Sequence, residues 1–427
     1  MSRPGSINRP RRLPALLCGL VLAGLICCPG GAAAKTASHA RLDSRLGRVV
    51  TAVRRLGVPG GVIGVTGSTV GRYARAFGSA ASGRRMTIDD HFRIGSISKT
   101  FTGTVILELV DRHRLRLDDP ISKWEPRVPN AKRISIRMLL NMTSGIWDEG
   151  TPGSLLSKSL AKRCILGQPS PGCSLYWQPQ QLVDLAIKQG AAYPPGVVDY
   201  SDTNYMLLAI IAQRVTHQPF GTLLRRLIFN PLHLRHTSFP TRSLAVPRPA
   251  TVGYLPKVTA AGAITQYLPG PLLSPSATFG AGNIISTLGD LQVWARALGT
   301  GSLLKRATQR LRLQVGPFPS LFLPLAGTGL NTGLMLGYGL GVINAGGLLG
   351  HNGVVSPPGY SAELWYLPKR QGSVIVLLNS LTPCGSSGAL LSDAVAGSLA
   401  ETAFGSALQR VAVPPIACTP VTPGAAG

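Results

Sequence analysis

Two periods of hydrophobicity divide this chain. From Gly60 to Val70, in GGVIGVTGSTV, apolar and small residues run almost unbroken and resume through YARAFGSA, with Gly and Ser between the runs as a hairpin turn. The period then lengthens. In SISKTFTGTVILELVDRHRL, Ile97, Phe101, Val105 and Leu109 recur at helical spacing, which predicts a helix starting at Ser96 or Ser98 and ending in basic and polar residues. A strand-like approach, RMTIDDHFRIGS, leads into it, so Ser96 stands at a strand-to-helix junction.

Residues 118–298 carry mostly helical signals, in ISIRMLLNMTSG, QQLVDLAIKQG, TNYMLLAIIAQRVT, FGTLLRRLIFNPL and TLGDLQVWARAL, joined by Pro- and Gly-containing connections. A stretch without a clear period follows from Gly301 to Met335. Strand character returns in YGLGVINAGG, YSAELWYLP and SVIVLLNS, and ALLSDAVAGSLAETAF closes the pattern as a helix. Strands at both ends of the chain around a helical middle imply an α+β (mixed α/β) fold. Its antiparallel sheet is built from both termini, with flanking helices and an inserted helical lobe over residues 118–298. One domain is expected over residues 45–412, after a polar joint at 35–44 and before a loose, Pro- and Gly-rich tail at 413–427.

The first 34 residues change the picture of where the chain works. Arg3, Arg9, Arg11 and Arg12 precede an apolar run from Leu13 to Cys28 and then small residues, the pattern of a secretory leader. The run is shorter than the roughly 20 residues a spanning helix needs. A cleaved leader at 1–34 and a secreted, periplasmic or cell-envelope location are therefore expected, with an uncleaved anchor as the alternative. Of seven cysteines, Cys18, Cys27 and Cys28 fall in this leader, leaving Cys164, Cys173, Cys384 and Cys418. In an exported chain that even set is expected to pair locally, Cys164 with Cys173 and Cys384 with Cys418, the alternative being free buried thiols. None of the four has the spacing of a zinc site, and neither a metal nor another cofactor is expected.

The formal charge of +26 on 427 residues raises nucleic acid as a partner. Its basic residues are scattered, without the interleaved stacking aromatics of single-strand binders, and nucleic acid is excluded on that ground. The charge fits association with anionic cell-envelope polymers instead. A hydrophobic content of 44% suffices for a large core.

Three serine–lysine pairs have the spacing S-x-x-K: Ser96 with Lys99, Ser159 with Lys162, and Ser302 with Lys305. Three residues apart on a helix, the amine reaches the hydroxyl and can take or hold its proton, while N–H groups at the helix start stabilise a developing oxyanion. Only the first pair is followed by a long apolar helix. Two further segments single it out: YPPGVVDYSDTNYMLL, with Tyr200, Ser201 and Asp202 before a helix, and GGLLGHNGVVSPPGY, with His351, Asn352 and Gly353 at a strand.

Serine–lysine, then tyrosine, then a basic residue with glycine: in that order the chain resembles the serine β-lactamase and penicillin-binding DD-peptidase superfamily, in its class C β-lactamase, DD-carboxypeptidase and esterase branch. The resemblance runs from about Leu42 to Ala403 and includes ISIRMLLNMTSGI, IFNPLHLRHTSFP, GAGNIISTLGDL and YGLG, segments to which no catalytic role is given. It implies a β-lactamase/transpeptidase-like fold and a hydrolase that forms an acyl-enzyme on Ser96. Lys99 and Tyr200 would be the catalytic partners, either of them the base. For Tyr200 to serve as base, cationic neighbours would have to pull its pKa down from about 10. The oxyanion hole would be the backbone N–H groups of Ser96 and Val354, with Asp202, His351, Asn352 and Gly353 binding substrate.

Two positions depart from the commoner pattern. Asp202 stands where Asn is usual, and an ionised carboxylate only accepts hydrogen bonds, so it either anchors Lys99 or weakens recognition of an amide. His351 stands where Lys is common, and capture of a substrate carboxylate is expected to weaken as it loses its proton near pH 6.5. The expected substrates are D-alanyl-D-alanine-type peptides of peptidoglycan or related small amides, the alternatives being a β-lactam, an ester, or a non-catalytic penicillin-binding role. A conventional α/β-hydrolase is disfavoured, because no G-x-S-x-G elbow occurs.

Overall fold

The computed structural model describes residues 30–68, 70–149, 175–259, 262–317, 336–384, 389–408 and Cys418. Helix α1 (Gly30–Arg55) leads into β1 (Gly60–Gly67), β2 (Gly71–Ala81) and β3 (Arg84–Arg85). After β4 (Phe92–Arg93) come α2 (Ser98–Asp111), α3 (Ile136–Leu140), α4 (Pro179–Gln189), α5 (Asp202–Thr216) and α6 (Phe220–Leu224). A small hairpin, β5 (Tyr254–Val258) and β6 (Ile264–Pro269), and the short β7 (Ile285–Ser286) precede α7 (Leu288–Thr300) and α8 (Arg306–Arg312). The chain then lays down β8 (Gly316–Pro317), β9 (Leu336–Tyr338), β10 (Ile343–Ala345), β11 (Leu348–Val355), β12 (Tyr360–Leu367) and β13 (Gly372–Leu378), and ends in α9 (Leu391–Phe404).

Nine of these strands form one antiparallel sheet in the order β3-β2-β1-β13-β12-β11-β10-β9-β8. The N-terminal hairpin thus sits beside the last strand, with Val62 opposite Leu377 and Gly64 opposite Ile375. Helices cover both faces, which is why β12 and β13 are buried at every residue and show no alternation. On one face Gly64 lies under Leu288 of α7; on the other Gly67 and Gly372 lie under Phe404 of α9. The α+β architecture, with its sheet drawn from both ends of the chain, is the one the hydrophobic periods imply.

Three boundaries differ from expectation. Residues 35–44 are not a joint but part of α1, whose Leu46, Val50 and Val53 repeat on one buried face. The lobe over 118–298 is not wholly separate and helical: it includes the β5–β6 hairpin, and α7 at its end packs on the sheet. The stretch from Gly301 contains the ordered helix α8, whose Arg312 is buried and donates to Thr104 Oγ1 at 2.6 Å. Cys384 and Cys418 are bonded, with Cα atoms 4.4 Å apart, so one residue of the tail is tied to the end of the sheet region. Cys164, Cys173, Ser159 and Lys162 lie outside the described residues. Among those described, no helix is long and apolar enough to cross a membrane.

Candidate active site

Ser96 lies in a single 3₁₀ turn, Gly95–Ile97, that runs straight into α2. The turn is pressed against β11. Gly95 has φ +52°, and a Cβ there would meet Val354 O at 2.5 Å and Val354 N at 2.6 Å; a Cβ on Gly353 would lie 2.0 Å from Ile94 O and 3.2 Å from Ser96 N. Both glycines are therefore required by close backbone approach. They bring the N–H of Ser96, which has no partner within so short a turn, beside the N–H of Val354. Among the described residues, pairing with β10 covers β11 from Leu348 to Gly350, and the strand from His351 onward lines the site with one edge.

Behind the serine, Lys99 occupies the first turn of α2 and is fully buried. Its ammonium has three N–H donors and meets three acceptors: Ser96 Oγ at 2.8 Å, Asp202 Oδ1 at 2.6 Å and the Ala281 carbonyl at 3.2 Å. Asp202 is the first residue of α5, where the helix dipole favours a carboxylate, and its own N–H donates to Asp148 Oδ1 at 2.8 Å. The contrast with Ser302 and Lys305 is plain: those side chains are exposed, and Lys305 donates instead to the Asp111 carbonyl at 2.8 Å.

Tyr200 stands two residues before α5, and Lys99 Nζ lies 4.8 Å from its ring centroid. Ser96 is near enough to the Tyr200 hydroxyl to act on its acidity. The expected lowering of its pKa is not what the site produces. Burial pushes the Tyr200 phenol well above 10, the charge of Asp202 adds to this, and the neighbouring Ser96 hydroxyl offsets only part. The resting residue is a neutral phenol.

His351 also departs from expectation. It is 1% exposed and points into the site beside Tyr200, with ring centroids 6.1 Å apart. Nδ1 lies 2.6 Å from the Asn352 carbonyl, which can only accept, so Nδ1 carries the proton and Nε2 accepts from the Tyr338 hydroxyl at 3.1 Å. Burial first, and the Lys99 charge second, bring its pKa down to about 3. With both ring nitrogens hydrogen-bonded it is a neutral imidazole at pH 7, so its loss of a proton does not fall near pH 6.5. Asn352 points the other way, towards Asp393 Oδ1 at 3.5 Å. There the buried Glu363 and Asp393 share a contact in which burial drives both carboxyls upward.

Three of the four segments given no catalytic role touch this centre. YGLG supplies Tyr338, GAGN supplies the Ala281 carbonyl, and NMTSGIWD supplies Met142, Ser144 and Asp148. Asp199 N–H donates to the Met142 carbonyl at 2.8 Å and Ser144 Oγ to Asn204 Oδ1 at 2.6 Å, which braces the turn carrying Tyr200. Tyr205 lies beneath, donating to the Leu140 carbonyl at 2.8 Å. No spacing rule links these residues to Ser96; the only signal for Tyr338 and Asp148 was an aromatic or acidic residue in a Gly-containing connection.

A serine, a buried lysine and a tyrosine converge between a helix start and a sheet edge, and the beta-lactamase family profile matches residues 46–395. The chain belongs to the beta-lactamase family. It is similar to a protein of Bacillus subtilis (strain 168) named as a penicillin-binding protein, PbpX, at 29% identity over 68% of this chain; the match spans 61% of that protein's length. Similarity to esterase EstB of Burkholderia gladioli is 26% identity over 83% of this chain and 94% of that one. Among solved structures, a D-stereospecific amidohydrolase from Streptomyces sp. superposes with a TM-score of 0.68 at 28% identity, covering 86% of this chain and 99% of the other. Its relatives include peptidase, esterase and amidohydrolase names.

Proposed function

We propose that the protein hydrolyses amides and esters lacking a carboxylate beside the scissile bond, through an acyl-enzyme on Ser96. One observation carries this reading. Among the described residues, the two basic side chains at the site, Lys99 and His351, are both committed: every Lys99 donor has an internal acceptor, and His351 is neutral with both nitrogens bonded. Neither is open to a substrate carboxylate of the D-alanyl-D-alanine type. The esterase and amidohydrolase names of the relatives fit the same substrate class.

In acylation, Ser96 Oγ bonds to the carbonyl carbon and the bond to the leaving nitrogen or oxygen breaks. The Ser96 proton moves to the Tyr200 hydroxyl while the phenol passes its own proton to the leaving group, so a neutral Tyr200 acts as a shuttle and no phenolate is needed. Lys99 stays charged, stabilising the developing alkoxide, and the N–H groups of Ser96 and Val354 receive the oxyanion. In deacylation, water adds to the acyl carbon, gives its proton to Tyr200, and Tyr200 returns one to Ser96 Oγ. The leader pattern of residues 1–34 and the Cys384–Cys418 pair support export to an oxidising compartment.

The test is a matched pair of acyl-D-alanyl-D-alanine peptides, one with a free C-terminal carboxylate and one amidated. The amidated peptide is expected to be turned over at least as well in kcat/KM. A preference of about tenfold or more for the free acid, worth about 1.4 kcal/mol, would overturn the reading.

A further inference from the structure

Residues 41–75 hold seven arginines and one acid, Asp43. On α1 four of these arginines, Arg41, Arg45, Arg48 and Arg55, are exposed and recur at helical spacing within an arc of about 80°. The arc is turned away from the buried face of Leu46, Val50 and Val53, so the stripe looks outward from the sheet along about 20 Å of helix. Neighbouring elements extend it. A Cβ on Gly47 would lie 3.9 Å from Tyr73 Oη, which places α1 over β2, and Arg75 is exposed on the same side of the strand with its guanidinium 4.9 Å from the Tyr73 ring. The β12–β13 turn adds exposed Lys369 and half-buried Arg370, whose carbonyl accepts the Ser68 N–H at 3.2 Å and so lies at the β1–β2 end of the sheet.

These charges are not neutralised within the molecule. Among the described residues the ion pairs lie between Arg84 and Arg214, and none includes a basic residue of α1, β2 or the β12–β13 turn. Arg48 donates to Ser44 Oγ at 3.4 Å and Arg75 to the Ala74 carbonyl at 2.9 Å, both uncharged acceptors. On these elements and on α9, which packs beside α1, the exposed acids are Asp43 and Glu401. Like charges gathered this way repel one another, and an external anion relieves the repulsion.

We propose that this face of α1 docks on the surface of an anionic phospholipid bilayer, whose phosphates supply the missing counter-charge. Two observations favour a bilayer over a linear polyanion. The arginines stand on the outward side of a helix rather than within a groove, and Tyr73, beside Arg75, is buried and offers no stacking face. The apolar run from Leu13 to Cys28 ends two residues before α1 begins, so the sequence entering α1 is itself suited to an apolar medium. The register keeps the Ser96 turn clear of the bilayer. Gly353, which faces Ser96, pairs with Ala362, Ala362 with Leu377 and Leu377 with Val62, on the face where Gly64 meets Leu288 of α7. Helices α1 and α9 cover the opposite face, and a docked molecule holds Ser96 on its aqueous side. The proposal stands apart from the acyl-enzyme reading.

Co-sedimentation of the full chain with vesicles of pure phosphatidylcholine, and of equimolar phosphatidylcholine and phosphatidylglycerol, is the experiment. The mixed vesicles are expected to bind about 10²-fold more tightly or better, an advantage that shrinks as salt is raised. Each arginine is worth about fivefold, so Arg41→Gln/Arg45→Gln/Arg48→Gln is expected to cut the advantage about 10²-fold. The charge-matched control, Arg225→Gln/Arg226→Gln/Arg310→Gln, removes exposed arginines that lie on other elements and is expected to stay within about threefold of wild type. Both triples are expected to melt with the wild type. Equal affinity of the wild type for the two vesicles, a loss below about threefold in the α1 triple, or an equal loss in both triples overturns the proposal. Tighter binding, at equal phosphate, to soluble polyphosphate than to the mixed vesicles also overturns it and assigns the stripe to a linear polymer.

Discussion

Gly353→Ala probes how the nucleophile is held. The added Cβ would sit 2.0 Å from the Ile94 carbonyl oxygen, where a carbon–oxygen contact needs about 3.3 Å, so β11 and the serine turn must part by about 1 Å. The same Cβ lies 3.2 Å from Ser96 N, and the movement falls on the two N–H groups proposed to receive the oxyanion. Misplacement of about 1 Å at a reacting centre costs about 10²-fold, and loss of an oxyanion donor about 10²–10³ in kcat, or about 2.7–4 kcal/mol. Forcing a methyl into this packing costs the fold a further 1–3 kcal/mol, roughly, or a few degrees in Tm. The assay is kcat on p-nitrophenyl acetate together with thermal melting by circular dichroism. Gly47→Ala is the control: it lies in α1, its nearest neighbour would be Tyr73 Oη at 3.9 Å, and both readouts are expected to hold or improve. A Gly353→Ala enzyme with kcat within about threefold of wild type would refute the reasoning on the oxyanion site.

Other expectations follow from the same geometry. Tyr200→Phe keeps the ring over Lys99 but removes the shuttle, and kcat should fall about 10²–10⁴-fold with little change in melting; a rate near wild type would exclude Tyr200 from proton transfer. His351 stays neutral in the folded state down to about pH 3, whereas the unfolded chain takes up a proton near pH 6.5. Stability should therefore fall by about 1.4 kcal/mol per pH unit as pH drops below 6.5, and His351→Gln should flatten this dependence in urea titrations at pH 5 and 7.5. Glu363 has the opposite linkage: its folded pKa is raised by burial and by Asp393, so the folded state holds a proton that the unfolded chain releases above about pH 4.5. Its contribution is present below that pH and lost as pH rises through the folded value. Glu363→Gln, which keeps a donor to Asp393, should raise Tm at pH 8, and a lower Tm would contradict the shared-proton arrangement.

The fold was legible because both of its periods are strong. The runs in β1, β12 and β13 and the repeat through Phe101, Val105 and Leu109 are set by burial on two faces or one, which composition records directly. The joint at residues 35–44 was misjudged because polar and small residues dominate that segment, while α1 needs only Leu46, Val50 and Val53 to dock. Ser96, Lys99, Tyr200 and Asp202 were legible as local motifs. The states of Tyr200 and His351 were not, since desolvation depends on what packs against them: Tyr338, Tyr205 and the Asn352 carbonyl come from chain segments with no local mark. The same holds for Asp148, which meets Asp202 only through the brace between Met142 and Asp199.

The most direct measurement is intact-protein and peptide mass spectrometry after acid quench from p-nitrophenyl acetate. An acetyl adduct is expected on the peptide carrying Ser96, absent in Ser96→Ala and longer-lived in Tyr200→Phe. Turnover by the wild type with no adduct even at the shortest quench times, or the same adduct in Ser96→Ala, would contradict the assignment of Ser96 as the nucleophile.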